Sequence, residues 1–207
     1  MEKINIFQSK DAFWGYAREV FIKSVPGRVA ASGGSAANIF DVLSAKDLSQ
    51  IDLYQVDERF VDPDHPDSNA KLLHQKIGEN IKNKHFFEIL ETPQKSAESY
   101  AKKLVPDNEG FLFDLVILGI GPDGHTAALF PDSDLGAKTL TQVTHTDTFA
   151  VNTRLTLSFE AIKRSRNILV LLTSKSKKEI LERIQNEDLP ATKLLNLPQA
   201  QILLLDF

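Results

Sequence analysis

The sequence contains no cysteine, which excludes disulfide bonds, a thiol nucleophile and a thiolate metal site. No apolar run approaches the roughly 18 residues of a membrane-spanning helix, and the first residues, Met-Glu-Lys-Ile-Asn, lack the pattern of a signal peptide. We therefore expect a cytoplasmic protein. With a net charge of −4, the chain has no excess of basic residues, which argues against nucleic acid or an anionic membrane as a partner.

What the sequence does contain is typical of a globular protein. Hydrophobic residues make up 42% and charged residues 25% of the 207 positions, and a chain of this length can bury a sizeable core. We find no internal repeat, low-complexity tract or Pro/Ser-rich linker. We therefore expect one domain that spans residues 1–207.

Short apolar runs alternate with helical patterns along the chain. The runs predict strands at residues 3–7, 28–31, 51–56, 86–90, 115–118, 168–172 and 202–205, with a further extended segment at 143–151. Amphipathic spacing and capping residues predict helices at residues 9–24, 36–43, 68–81, 94–105, 157–164 and 174–184. Strands separated by helices indicate an α/β fold: a doubly wound, mostly parallel, Rossmann-like sheet with helices on both faces.

The stretch of residues 113–131, FDLVILGIGPDGHTAALFP, organises the chain. Its apolar run predicts a buried central strand, which three glycines and a proline follow at once. His125 then opens a short apolar helical turn that Pro131 ends. In an open α/β sheet, ligands bind outside the carboxyl ends of the strands, which is where this loop places Asp123 and His125.

The six residues from Gly119 to Gly124 match the Gly-x-Gly-x-x-Gly fingerprint of dinucleotide-binding folds. That fingerprint needs a long helix after its third glycine, because the helix N-terminus holds the pyrophosphate. Pro131 leaves room for only about two helical turns. A nicotinamide or flavin site is therefore the weaker interpretation.

A second glycine-rich loop, Ser32-Gly33-Gly34-Ser35, lies between a predicted strand and a predicted helix. Its backbone N–H groups and the helix dipole suit an anion, and phosphate is the anion we expect. The loop is not a Walker loop, because the Gly-Lys-Ser/Thr ending is absent. A plain strand-to-helix turn would explain the same residues.

His125 is the candidate general base. Its position at the carboxyl end of a strand and near a helix N-terminus would keep the imidazole neutral, which is the form that accepts a proton. Asp123 either orients that ring or caps the short helix. A histidine in a packing role is the alternative interpretation.

The triplet Asp57-Glu58-Arg59 ends the strand predicted at residues 51–56. It therefore either lines the same cleft or has a structural role at the sheet edge. The aspartates of residues 62–67 do not match the spacing of an EF-hand calcium loop, so we interpret them as part of a solvated loop.

Several blocks of the sequence together resemble the 6-phosphogluconolactonase family, whose members hydrolyse 6-phosphoglucono-1,5-lactone in the pentose phosphate pathway. The most specific block is residues 113–131 with its Gly-His-Thr. The other blocks are ASGGS at 31–35, VDERF at 56–60, HPDSN at 65–69, RLTL at 154–157, Lys177, and LPA at 189–191. The resemblance covers residues 28–191, most of the chain, and implies a hydrolase with the fold of the sugar-phosphate isomerases and deaminases.

The resemblance also implies a role for each candidate residue. The substrate phosphate would lie on the loop of residues 32–35, and neutral His125 would take a proton from the water that attacks the lactone carbonyl. Loop N–H groups or Arg59 would stabilise the negative charge that develops on the carbonyl oxygen. The expected site residues are His125, Arg59 and Asp123 for catalysis, Ser32, Gly33, Gly34, Ser35, Arg154 and Lys177 for the phosphate, and Asp57, Gly121 and Gly124 for lining the substrate.

Neither a cofactor nor a metal ion is expected for this reaction, and the expected partner is the sugar-phosphate lactone, with monomer or homodimer left open. Two alternatives remain. Glucosamine-6-phosphate deaminases share the fold and the phosphate loop, but they typically have Asp-Glu-Tyr and Gly-His-Ile-Ala-Phe where this chain has residues 57–59 and 124–128. A sugar-phosphate sensor would bind the same ligand without turnover.

Overall fold

The computed structural model describes residues 3–173 and 178–206. Its strands are β1 (Ile4–Phe7), β2 (Gly27–Ala31), β3 (Ile51–Gln55), β4 (Asp57–Arg59), β5 (Asn83–His85), β6 (Phe113–Leu118), β7 (Thr141–His145), β8 (Thr153–Leu157), β9 (Ser165–Leu172) and β10 (Ala200–Leu205). Its helices are α1 (Lys10–Ile22), α2 (Ala45–Leu48), α3 (Asn69–Ile77), α4 (Pro93–Ala101), α5 (Phe159–Lys163), α6 (Lys178–Asn186) and α7 (Pro190–Leu195), with a 3₁₀ helix over Gly34–Val42. None of the helices in this part of the chain is both long and apolar enough to cross a membrane.

Seven strands of the described chain form a central sheet in the order β1-β10-β9-β6-β2-β3-β5, and every neighbouring pair is parallel. The chain moves outward from β2 through β3 to β5 on one side, and from β6 through β9 to β10 on the other. The crevice at this reversal of strand order, between β2 and β6, is where an open α/β sheet binds ligands. The predicted fold, a doubly wound α/β fold with a parallel sheet, is confirmed.

Helices cover both faces of the central sheet. Successive side chains of a strand point to opposite faces, so Val29 and Leu115 pack with α1, α3 and the 3₁₀ helix. Ala30 and Val116 pack on the other face, in a cluster to which α4, α5, α6 and α7 contribute. Burial on both faces explains why the central strands are nearly continuous apolar runs in the sequence.

A second, antiparallel sheet in the order β4-β8-β7 was not predicted from the sequence. The chain leaves the parallel sheet at Val56, one residue after β3, and β4 then pairs with β8 in a register that places Arg59 opposite Arg154. This small sheet therefore brings the triplet of residues 57–59 and the RLTL block of residues 154–157 together.

No helix follows His125, so the predicted helical turn is wrong. Residues 126 and 129 form an isolated β-bridge with each other instead. The Ala128 N–H donates to Thr156 Oγ1 at 3.2 Å, and Thr144 Oγ1 donates to the Ala128 carbonyl at 2.7 Å. Because these threonines belong to β8 and β7, the second sheet takes the backbone groups that a helix would bond internally.

The strand predicted at residues 86–90 is also wrong, because the edge strand is β5. The Phe87 N–H donates to the side-chain oxygen of Gln55 at 3.0 Å, and the Leu90 N–H donates to Ser96 Oγ at 2.8 Å, so side chains replace a strand partner. The extended segment predicted at 143–151 is a strand only as far as residue 145, and the helix at 36–43 has 3₁₀ geometry. The helix predicted at 174–184 begins in residues outside the described part of the chain.

The hydroxyl of Tyr100 connects α4 to the central sheet. The side chain is 1% exposed, and its hydroxyl donates to the carbonyl of Gln55 at 2.7 Å and lies 3.0 Å from the carbonyl of His85. We predict that Tyr100→Phe lowers the free energy of unfolding by about 1–3 kcal/mol, because a buried carbonyl loses its donor. Urea denaturation measures the change. Tyr16→Phe is the control, since the Tyr16 hydroxyl has no hydrogen-bond partner among the described residues, and an equal loss in both variants would contradict the prediction.

Candidate active site

The loop after β6 carries the candidate base. The Gly121 N–H donates to the His125 carbonyl at 2.8 Å, and the Gly124 N–H donates to the Gly121 carbonyl at 3.1 Å. These bonds fold residues 121–125 into a tight turn. Thr126 Oγ1 closes the base of the loop by donating to the Gly119 carbonyl at 3.0 Å. His125 is thereby fixed at the carboxyl end of the central strand.

The imidazole of His125 lies directly against the backbone of Gly121. A Cβ at residue 121 would overlap the ring, so this approach requires glycine. Gly124 has a φ of +86° and turns away from the cleft, where a Cβ would lie 2.6 Å from Leu189 Cδ1. The Ala191 N–H donates to the Gly124 carbonyl at 3.2 Å, so the start of α7 supports the loop from behind.

Asp123 orients the ring of His125. Its Oδ1 lies 2.5 Å from His125 Nδ1 and accepts the His125 backbone N–H at 3.2 Å. Burial raises the pKa of the Asp123 carboxyl, but the hydrogen bond and charge of His125 outweigh burial and hold that pKa below its ordinary value. A carboxylate at this position selects the tautomer with its proton on Nδ1. Nε2 of His125 has no hydrogen-bond partner in the described residues and remains free to accept a proton.

The loop of residues 32–35 lines the same cleft as His125. It follows β2 directly, and the Ser32 N–H donates to the Ile117 carbonyl of β6 at 3.0 Å. The 3₁₀ helix then begins at residue 34, so the N–H groups of its first turn have no partners within the helix. Ser32 is 7% exposed, and its Oγ has no partner in residues 3–173 and 178–206. An anion on this loop would satisfy these donors.

The third wall of the cleft consists of β4 and the start of α3. Asp57 and Arg59 line the cleft from β4, while Glu58, between them, is 2% exposed and points into the interior. Arg59 Nη1 donates to the Asp67 carbonyl at 3.0 Å and also to Asn69 Oδ1. Both acceptors are uncharged, so the positive charge of Arg59 is available to an anionic group in the cleft.

Arg154 lies in a smaller compartment that adjoins the cleft. Asp57, Arg59 and His125 line both spaces, and the Arg154 guanidinium carbon lies 5.9 Å from the ring centre of Phe149. Arg154 is 7% exposed, and its Nε has no partner within the described residues. Burial and the charge of Arg59 lower the pKa of Arg154, while Asp57 opposes that shift. Arg154 therefore lines the adjoining compartment, and the loop of residues 32–35 lines the cleft.

The structure brings together most of the residues that the sequence places in the site. The predicted residues that line the cleft are Ser32, Gly33, Gly34, Ser35, Asp57, Arg59, Gly121 and His125. Asp123 holds the ring of His125, Arg154 lies in the adjoining compartment and Gly124 faces α7. Lys177 lies outside the described residues. Among the described residues, no group of three or more histidine, cysteine, aspartate and glutamate side chains is placed to hold a metal ion.

Sequence reasoning missed Asn69 and Phe149. Asn69 lines the cleft and is 1% exposed, and in the sequence it is the last residue of the HPDSN block, directly after Ser68, which caps α3. The ring of Phe149 meets the ring of His125 edge-on, with centroids 5.5 Å apart. No pattern marks Phe149, because it lies on the connection between β7 and β8, and β8 was not predicted.

Gly121 tests whether the loop backbone sets the position of the imidazole. We predict that Gly121→Ala displaces the His125 ring and raises the pKa of Asp123, because the hydrogen bond from His125 that lowers this pKa is lost while burial remains. Carbon-13 NMR titration of the Asp123 carboxyl measures the change. Gly119→Ala is the control within the same loop, since a Cβ there meets only Ala36 at 4.0 Å. The same Asp123 pKa in both variants would contradict the prediction.

Comparison with known proteins places the chain in a family. A model of the family described as glucosamine-6-phosphate isomerases/6-phosphogluconolactonase matches residues 12–203. A 6-phosphogluconolactonase of Helicobacter pylori is 35% identical over 181 residues, which cover 84% of this chain and 78% of that protein. A 6-phosphogluconolactonase of Caulobacter vibrioides is 29% identical over an alignment of 224 residues, gaps included, which covers 98% of this chain and 96% of that protein.

A solved structure has the same fold as this chain. The crystal structure of 6-phosphogluconolactonase from Thermotoga maritima matches 99% of both chains with a TM-score of 0.81, and at 23% identity this likeness concerns the fold alone. The family match, in contrast, extends over nearly all of the described chain and includes every wall of the cleft. The chain belongs to the glucosamine-6-phosphate isomerase/6-phosphogluconolactonase family.

Proposed function

We propose that the protein hydrolyses 6-phosphoglucono-1,5-lactone to 6-phosphogluconate, the lactonase step of the pentose phosphate pathway. The proteins of Helicobacter pylori and Caulobacter vibrioides named for this activity align with most of the chain. The observation that carries the proposal is a carboxylate-held imidazole in the same cleft as a glycine-rich anion loop. The imidazole supplies a general base and the loop holds a phosphate, and hydrolysis of a phosphorylated lactone uses both.

The substrate phosphate lies on the loop of residues 32–35 in this proposal. The N–H groups at the start of the 3₁₀ helix and the buried hydroxyl of Ser32 supply the hydrogen-bond donors. Arg154 adds positive charge from the adjoining compartment, and Lys177 adds a further charge, as the family resemblance implies. A guanidinium suits a bidentate contact with phosphate, and an ammonium acts as a point charge.

His125 acts on a water molecule between its Nε2 and the lactone carbonyl carbon. Nε2 takes a proton from the water as the water oxygen bonds to that carbon, and the carbonyl π electrons move to oxygen. The tetrahedral anion then collapses: the carbonyl re-forms, the bond between C1 and the ring oxygen breaks, and the imidazolium returns its proton to the ring oxygen. The resulting acid ionises to 6-phosphogluconate, and His125 is neutral again.

Two neighbouring groups stabilise the charges that this step creates. Arg59 faces the cleft, bonds to a carbonyl and an amide oxygen that are both neutral, and stabilises the negative carbonyl oxygen. Asp123 stabilises the imidazolium through Nδ1. A positioned general base contributes about 10²–10⁴-fold to the rate, which is a useful acceleration for a δ-lactone that already hydrolyses spontaneously.

We predict that His125→Ala lowers kcat by about 10²–10⁴-fold with little change in KM, because the base is lost while the phosphate contacts remain. The lactone is generated in situ from glucose 6-phosphate with its dehydrogenase, and its loss is followed above the spontaneous rate. His145→Ala is the control, since His145 is exposed on β7 and its ring contacts Thr153 outside the cleft.

An unchanged kcat in His125→Ala would remove this histidine from the mechanism. A wild-type protein that binds 6-phosphogluconate but does not accelerate loss of the lactone would be a sensor and would refute the proposed function. Turnover of glucosamine 6-phosphate without lactonase activity would refute it in favour of a deaminase.

A further inference from the structure

Asn69 connects two walls of the cleft: the wall formed by β4 and the start of α3, and the loop of residues 32–35. It is the first residue of α3, its side chain is 1% exposed, and it lines the cleft between Arg59 and the loop of residues 32–35. We propose that Asn69 is a positioning residue, which holds the guanidinium of Arg59 and the carboxylate of Asp57 in the orientation that catalysis uses. This inference rests on the proposed function.

Both the nitrogen and the oxygen of the Asn69 side-chain amide form hydrogen bonds. Its Nδ2 donates to the Asp57 carbonyl at 2.9 Å and to Asp57 Oδ2 at 3.0 Å. Its Oδ1 accepts a hydrogen bond from Arg59 Nη1. The partners fix the orientation of the amide, because a flipped amide would place its oxygen against two oxygens of Asp57 and its NH₂ group against a guanidinium.

The backbone of Asn69 is held as firmly as its side chain. Glu58 is 2% exposed, and its Oε1 accepts the N–H groups of Arg59 and Asn69, each at 2.7 Å. The remaining donors to this carboxylate are Gln55 Nε2 at 2.8 Å, Ser68 Oγ at 3.2 Å and the Ala70 N–H at 2.7 Å. One buried carboxylate therefore joins β4 to the N-terminus of α3, and it fixes the backbones of the two residues whose side chains meet in the cleft.

The third contact of Asn69 is with the loop that we assign to phosphate. A Cβ at Gly33 would collide with Asn69 Oδ1, so the loop backbone packs directly on the amide that holds Arg59. The distance between the phosphate loop and the Arg59 guanidinium is therefore set through Asn69. In the proposed complex the loop holds the substrate phosphate and Arg59 meets the lactone carbonyl. By fixing the distance between the two, Asn69 would control how the substrate is oriented for reaction.

An amide suits this position better than a carboxylate would. The amide oxygen accepts from Arg59 without neutralising its charge, and the amide nitrogen donates to Asp57. An aspartate at residue 69 would keep an acceptor for Arg59, but it would pair with the charge of Arg59 and place a second carboxylate about 3 Å from that of Asp57. Replacing Asn69 with aspartate, which has nearly the same size, therefore distinguishes a positioning role from a role in packing.

The test is a double-mutant cycle between Asn69 and Arg59. We expect Asn69→Ala to lower kcat roughly tenfold to a hundredfold, since a misplacement of about 1 Å can cost that much. In the Arg59→Ala background, Asn69→Ala should lower kcat by less than about twofold, because the residue through which Asn69 acts is gone. Asn69→Asp, which has nearly the same size, should lose at least tenfold. Asn80→Ala is the matched control, because Asn80 bonds to the last turn of α3, outside the cleft, and should leave kcat unchanged.

Calorimetric titration of the same variants with 6-phosphogluconate measures their affinity for this product. The inference would be overturned if Asn69→Ala lowered kcat by the same factor in the wild-type and in the Arg59→Ala background. A wild-type kcat in Asn69→Asp would also overturn it. Asn69→Ser replaces Asn69→Ala if the alanine variant does not fold. A wild type that lacks lactonase activity but shows the same non-additive pattern in 6-phosphogluconate affinity would refute the proposed function and support the positioning role. Absence of both turnover and binding would overturn both.

Discussion

The contact between the His125 imidazole and the bare backbone of Gly121 is the constraint on which the site depends. The ring occupies this place because residue 121 has no side chain, and the hydrogen bond between the two residues closes the turn that brings them together. The turn begins where β6 ends, and every residue of β6 from 115 to 118 is fully buried. The position of the candidate base is therefore set by a strand whose last four residues are fully buried, and α7 adds support behind Gly124.

The charges around this constraint are arranged so that a chain with a net charge of −4 offers a positive cleft. Three nearby carboxylates already have hydrogen-bond donors: Asp123 accepts from His125, Glu58 accepts from five donors, and Asp57, which lines the cleft, accepts from the side chain of Asn69. Arg59 bonds to neutral oxygens, and Arg154 is buried with a free Nε in the described structure. Neither guanidinium forms an ion pair with a carboxylate within the described residues, so both lower the free energy of an anion between them and the glycine-rich loop.

The parallel sheet and the residues at its strand ends could be predicted from the sequence, because apolar runs and glycine-rich loops are local signals. His125, Asp57 and the loop of residues 32–35 share one cleft for that reason, since the carboxyl ends of parallel strands meet at one edge. The small antiparallel sheet could not be predicted, because its strands bond to distant residues. Hydrogen bonds from its threonines replace the helix expected after His125, so the helix dipole expected to keep the imidazole neutral is not formed. Of the two roles expected for Asp123, it has the one of orienting the ring. The HPDSN block includes Asn69, but the sequence could not assign a role to this residue, since that role depends on contacts with residues 10 and 12 positions away.

The most direct test of this account is the structure of the His125→Ala variant with 6-phosphogluconate bound. We predict that the phosphate contacts the N–H groups of residues 32–35 and that C1 lies beside the position that the imidazole occupies in the wild type. One oxygen of the C1 carboxylate should lie within hydrogen-bonding distance, about 3 Å, of the Arg59 guanidinium. A product bound in the reverse direction, with its carboxylate on the glycine-rich loop and its phosphate beside residue 125, would contradict the central claim.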